Sequence, residues 1–121
     1  MQLALSSKLI EKNEHLNLVG TYTNPFLGLN AINSQDVDVV LLDIEMPEID
    51  GFALQKLFKD DVDVVMNSTR PSFEIQAYSN GAIDFLAKPL TSSRLELAVA
   101  RVLEMKRLLA FDKQIVRSCA S

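Results

Sequence analysis

Val37-Asp38-Val39-Val40-Leu41-Leu42-Asp43 is the stretch whose reading decides the fold. Across residues 37–42, β-branched and leucine side chains dominate a short run bounded by charge. A run of that kind reads as a strand buried on both faces, as in a parallel sheet covered by helices on either side. Asp43 closes the run, so a carboxylate emerges where the strand meets solvent while its neighbours stay buried.

Downstream, a loop with Met46-Pro47 and Asp50-Gly51 leads into a helical pattern at 52–59, and residues 62–66 give a second buried strand. Pro71 opens a helix that Asn80-Gly81 closes, and residues 82–86 form a short strand broken by Lys88-Pro89. Thr91 or Ser92 then caps a long helix to about Leu109, with Leu95, Val99, Val102, Leu103 and Met105 on its apolar face. Upstream, Asn24-Pro25 starts a helix that ends near Ser34, preceded by strand-like residues 17–23. Residues 3–14, with Leu3, Leu5, Leu9 and Ile10, read as an amphipathic helix. The order is α-β-α-β-α-β-α-β-α, a pattern that builds a parallel sheet with helices on both faces. Function in such sheets sits at the carboxyl ends of the strands. There the sequence places Asp43 and Glu45, then Asn67, Ser68 and Thr69, then Lys88.

Composition bounds the possibilities. At 121 residues the chain fits one domain, with no internal repeat or linker. A net charge of −4 argues against direct nucleic-acid binding by this chain. No run approaches a membrane span, and the opening residues lack the pattern of a signal peptide. A single cysteine, Cys119, excludes an internal disulfide and points to a cytoplasmic setting. The acidic residues crowd between Asp36 and Asp63, which reads either as solvated loop ends or as a cation-binding edge.

The strand-end cluster carries the chemistry. A carboxylate can act as nucleophile toward phosphorus, and the reaction gathers negative charge that a cation and a fixed ammonium offset. Each residue alone has a plainer reading: turn aspartate, helix-capping Ser-Thr pair, surface lysine. A small hydrolase fits poorly, because His15 lies outside the cluster and no Ser or Cys nucleophile stands beside a base.

Spacing adds what the single residues do not. Leu41-Leu42-Asp43-Ile44-Glu45-Met46-Pro47-Glu48-Ile49-Asp50-Gly51 and Ala82-Ile83-Asp84-Phe85-Leu86-Ala87-Lys88-Pro89 resemble the two hallmarks of response-regulator receiver domains of two-component systems. The resemblance covers about Leu3 to Leu103, and is closest to receivers of LytTR-type regulators through Leu18-Val19-Gly20 and Asn24-Pro25. It implies a flavodoxin-like, doubly wound α/β fold over the single domain 1–121, and a signalling domain rather than a metabolic enzyme. It implies that Asp43 accepts a phosphoryl group from a sensor histidine kinase, that Lys88 contacts that group and that Ser68 is the switch hydroxyl. Phe85 matches the switch aromatic, Lys88-Pro89 a cis peptide bond, and the Glu45 backbone carbonyl a Mg²⁺ contact beside Asp43. The first strand of the family, with its acidic pair, has no counterpart before Glu11, which leaves the Mg²⁺ site underbuilt. The alternative reading is a degenerate receiver that acts as a phosphorylation-independent interaction module. With sheet order 2-1-3-4-5 in the related fold, the absent strand is the one between residues 17–23 and 37–42. The expectation is therefore an incomplete four-stranded sheet, strained or completed by a second chain in a homodimer. Filling the slot from residues 114–119 looks unattractive, because Arg117 would enter a buried position.

Overall fold

The computed structural model describes residues 2–109 and 116–120. Helix α1 (Gln2–Lys12) precedes β1 (Leu16–Thr21), α2 (Pro25–Ser34), β2 (Val39–Asp43), α3 (Gly51–Gln55) and β3 (Asp63–Ser68). A 3-10 turn (Pro71–Phe73) runs into α4 (Glu74–Ser79), followed by β4 (Asp84–Ala87), α5 (Ser92–Leu109) and β5 (Val116–Ala120). Local chemistry sets several boundaries. The Asn24 side chain accepts from the Phe26 and Leu27 amides, with Pro25 at the first helical position of α2. Gly81, at φ 88°, takes the left-handed conformation just after α4. Thr91 Oγ1 accepts from Arg94 N at 3.3 Å at the start of α5.

Every strand pairing is parallel, in the order β1-β5-β2-β3-β4. The helices cover both faces. On one side α1 and α5 pack Ile10, Leu95, Ala98, Val99 and Val102 onto Val39, Leu41, Val65 and Leu86. On the other, Ile32 of α2, Phe52 and Leu54 of α3 and Ala77 of α4 enclose Val40, Leu42, Val64, Met66 and Phe85. Alternate residues of each strand thus enter opposite cores, which is why residues 39–42 carry no polar face.

The expected four-stranded sheet is corrected by β5. Val116–Ala120 occupies the slot between β1 and β2, the one judged unattractive from sequence. It is in register with β1 from Leu16↔Val116 to Thr21↔Ala120, and with β2 from Val39↔Ser118 to Leu41↔Ala120. The magnitudes explain why the slot is filled. Each buried backbone group left unpaired costs about 1–3 kcal/mol, whereas strand propensities among residues span only about 1 kcal/mol. Pairing both edges outweighs the poor strand composition of Val-Arg-Ser-Cys-Ala. A one-residue shift between Leu18 and Gly20 lets β1 follow β5. The part of the 114–119 assignment that falls on 114 and 115 lies outside the described residues.

The far end of the sheet is tied by a charge network that sequence reading did not find. Asp84 is 0% exposed at the start of β4. Both its oxygens accept from Arg94, at 2.7 and 2.9 Å. Oδ1 also accepts from Arg101 at 3.0 Å, from the Tyr78 hydroxyl at 2.9 Å and from the Phe85 amide at 2.8 Å. Burial pushes the Asp84 pKa up, but Arg94, Tyr78 and the Phe85 amide outweigh it and hold the carboxyl below its ordinary 3.8. One carboxylate thus joins α4, β4 and α5.

Two outcomes follow from this architecture. With β5 central, amides of β1 exchange slowly, and Ser118→Pro, which removes a donor in the middle of β5, accelerates their exchange more than that of β3 amides. Equal protection of β1 in both proteins, followed by hydrogen exchange, would contradict the strand order. Asp84→Asn leaves Arg94 without its anion and costs about 3 kcal/mol in denaturant unfolding. Because the folded-state pKa of Asp84 is lowered, its contribution holds above pH 3.8 and is lost as pH falls through the lowered value.

Candidate active site at the carboxyl edge of the sheet

Asp43 is the last residue of β2, paired with Asn67 of β3. Beyond it the chain turns sharply. Ile44 N donates to Asn67 O at 3.0 Å, and Gly51 N donates to Ile44 O at 2.7 Å. A Cβ on Gly51 would stand 2.7 Å from the Asp43 carbonyl oxygen and 2.8 Å from Ile44 Cα, so α3 can start this close to the strand end only on glycine. Asp50 caps α3, accepting from Ala53 N at 2.8 Å.

Lys88 follows β4, where its amide donates to Ser68 O at 2.9 Å and its peptide bond to Pro89 is cis. Its ammonium donates to Asp43 Oδ2 at 2.6 Å. The other carboxylate oxygen, Oδ1, accepts from Glu45 N at 3.1 Å. A carboxylate and an ammonium distant in sequence are thereby joined at one strand edge, the Lys88 side chain only 9% exposed.

Ser68, the last residue of β3, is fully buried and donates through Oγ to Glu45 Oε1 at 2.7 Å. The same oxygen takes Thr69 N at 3.3 Å and Thr69 Oγ1 at 3.4 Å, while Arg70 Nε lies 3.2 Å from Glu45 Oε2. The Ser68 hydrogen bond leads in lowering the Glu45 pKa below its ordinary 4.5, against a burial effect that raises it. Sequence reading drew only the backbone of Glu45 into the site. Its side chain in fact gathers Ser68, Thr69 and Arg70. The available signal was an acidic residue two places after Asp43 facing a Ser-Thr-Arg run. Phe85 is brought nowhere near solvent: it sits in the core that α2, α3 and α4 cover.

A divalent cation is a harder fit. Mg²⁺ prefers near-octahedral oxygen donors, normally including one or two carboxylates. Asp43 offers one carboxylate, already engaged on both oxygens, and the Glu45 carboxylate is turned to Ser68, Thr69 and Arg70. Among the described residues no group of three His, Cys, Asp or Glu side chains gathers. Among the described residues β5, Val116–Ala120, carries no acidic side chain to replace the pair. These donors do not by themselves build a Mg²⁺ site.

Known proteins share the sequence pattern and the fold of this chain. The family model described as the response regulator receiver domain matches residues 1–100. An uncharacterized response regulatory protein of Vibrio cholerae serotype O1 is 31% identical over 103 residues, covering 84% of this chain and 44% of that protein. A protein-glutamate methylesterase/protein-glutamine glutaminase of Oceanobacillus iheyensis is 39% identical over 97 residues, covering 75% of this chain and 28% of the enzyme. The chain thus spans less than half the length of these relatives. Among solved structures, the response regulatory domain of protein mrkE from Klebsiella pneumoniae superposes with a TM-score of 0.75 at 23% identity, covering 89% of this chain and 93% of that one. A response regulator receiver domain protein from Clostridium thermocellum gives 0.70 at 27% identity, with 89% and 90% covered. The chain belongs to the response regulator receiver domains of two-component systems, with the flavodoxin-like fold of that family.

Proposed function

We propose that Asp43 accepts a phosphoryl group from the phosphohistidine of a sensor kinase, and that the resulting change at Ser68 and Phe85 is read by a partner. The observation that carries this reading is the 2.6 Å contact between the Lys88 ammonium and the Asp43 carboxylate at the strand edge. In the transfer an Asp43 oxygen bonds to phosphorus, the phosphorus–nitrogen bond breaks, and the imidazole leaves with the electron pair. Lys88 is a fixed point charge for the phosphoryl oxygens. Mg²⁺ would touch Asp43 and the Glu45 carbonyl. With the Asp43 and Glu45 carboxylates already engaged, these two contacts fall short of the oxygen donors that Mg²⁺ prefers. The chain acts as a signalling domain, in a cytoplasmic setting, without direct nucleic-acid contact and with a second copy or an output segment as reader. No helix among the described residues is long and apolar enough to cross a membrane.

Ser68 has one hydroxyl proton, and Glu45 holds it. For that hydroxyl to serve a phosphoryl oxygen, the bond to Glu45 must break, so two anions compete for one donor. Glu45 has its pKa lowered and stays ionised at neutral pH; its hold weakens only as pH falls below 4.5, through the lowered value. A hydrogen bond to a charged group is worth about 1.5–3 kcal/mol, which bounds the gain on removing the competitor.

A second reading has its own support. Both Asp43 oxygens are engaged and the Mg²⁺ donors are few, as suits a receiver that acts through contacts alone. Incubation with acetyl phosphate, with and without Mg²⁺, separates the two. The phospho-switch predicts a labelled native chain and an unlabelled, folded Asp43→Asn variant. No label on the native chain under either condition would favour the contact module. If label is taken up, Glu45→Ala increases the ratio of phosphorylated to free chain about tenfold, near the low end of the range set by one charged hydrogen bond. Unchanged occupancy would show that Ser68 is not restrained by Glu45.

A further inference from the structure

Among the described residues, Asn67 is the buried polar side chain at this edge with an unmet need. It is 4% exposed, and its Oδ1 has no hydrogen-bond partner. Buried amide oxygens are nearly always paired, so an orphan beside a reactive group calls for an account. Its place in the sheet supplies one. Asn67 pairs with Asp43 on one side and with Leu86 on the other. The Lys88–Asp43 contact links the end of β4 to the end of β2, and β3 lies between those strands. Asn67 is therefore the β3 residue at the level of Asp43, on the strand that the Lys88 side chain must cross. Directly paired residues of a parallel ladder face the same side of the sheet.

Lys88 has the complementary surplus. An ammonium carries three donors, and Asp43 Oδ2 is its one acceptor among the described residues. While Asp43 is an anion, that single short contact suffices. Once an Asp43 oxygen bonds to phosphorus, the carboxylate charge is gone and what remains is a weaker acyl acceptor. The negative charge has moved outward onto the phosphoryl oxygens. Lys88 must loosen from Asp43 and turn to follow it.

We propose that Asn67 is a positioning residue for Lys88: its amide oxygen is the second acceptor that keeps the ammonium at the strand edge as Asp43 is phosphorylated. The inference rests on the reading of Asp43 as the acceptor. No proton is transferred to Asn67; the new phosphorus–oxygen bond and the departing donor group balance the step as before.

The test compares the native chain with Asn67→Val and Asn67→Thr, two side chains of nearly equal shape of which only threonine keeps an oxygen. Phosphoryl uptake from acetyl phosphate is timed for each, and the Lys88 ammonium is followed by ¹⁵N NMR with and without beryllofluoride. Asn67→Val is expected to slow uptake about tenfold with an unchanged or higher denaturant midpoint, and to abolish the Lys88 shift on beryllofluoride addition. Asn67→Thr is expected to restore most of both. A packing role would leave valine and threonine alike, and that result overturns the inference, as does a valine variant that matches the native rate and Lys88 shift. A native chain that takes no label overturns the acceptor reading itself and this inference with it; a labelled native chain matched by Asn67→Val overturns this inference alone.

Discussion

The whole sheet depends on one demand: the backbone between β1 and β2 must be paired. Among the described residues β1 joins the sheet through β5, so the domain is held across that slot by main-chain hydrogen bonds. Those bonds do not depend on which side chains deliver them, and a segment with little strand character can serve. The requirement is set by the buried polar backbone and not by hydrophobicity. It also explains the connection to α5, which packs with α1 on one face and from which the chain proceeds to the central position.

From that scaffold the functional edge is assembled in two halves. Asp43 and Lys88 form one, joined across β3. Glu45, Ser68, Thr69 and Arg70 form the other, with the Ser68 proton committed to a carboxylate. The Asp84 network behind β4 anchors Phe85 through its amide, accepted by Asp84, and its carbonyl, which accepts from Arg94 at 3.1 Å. A change at Ser68 therefore meets a β4 strand that is tethered to both α4 and α5.

Much of this was legible in the sequence where a residue's role is local. Asn24-Pro25 announces its helix because capping chemistry acts over three residues, and residues 39–42 announce a buried strand because both faces are apolar. The gathering of Asp43, Ser68 and Lys88 followed from strand order alone, since parallel strands bring their carboxyl ends together. What stayed hidden depends on distant partners. Val-Arg-Ser-Cys-Ala carries no strand pattern, so the sequence, while offering it for the slot, argues against it, whereas its position follows from a vacancy elsewhere in the sheet. The Glu45 carboxylate and the Asp84–Arg94–Arg101 cluster are satisfied by side chains across the fold, which no periodicity records. Asn67 read as one more polar residue at a strand end. Only its burial and missing partner set it apart.

The central claim, that Asp43 is the residue that carries the phosphoryl group, can be read chemically at one atom. Borohydride reduces an aspartyl phosphate to homoserine and leaves free carboxylates unchanged. After incubation with acetyl phosphate and reduction, peptide mapping by mass spectrometry is expected to find homoserine at position 43 and at no other aspartate. Homoserine elsewhere, or none at position 43 in a chain that has taken up phosphate, would contradict the account.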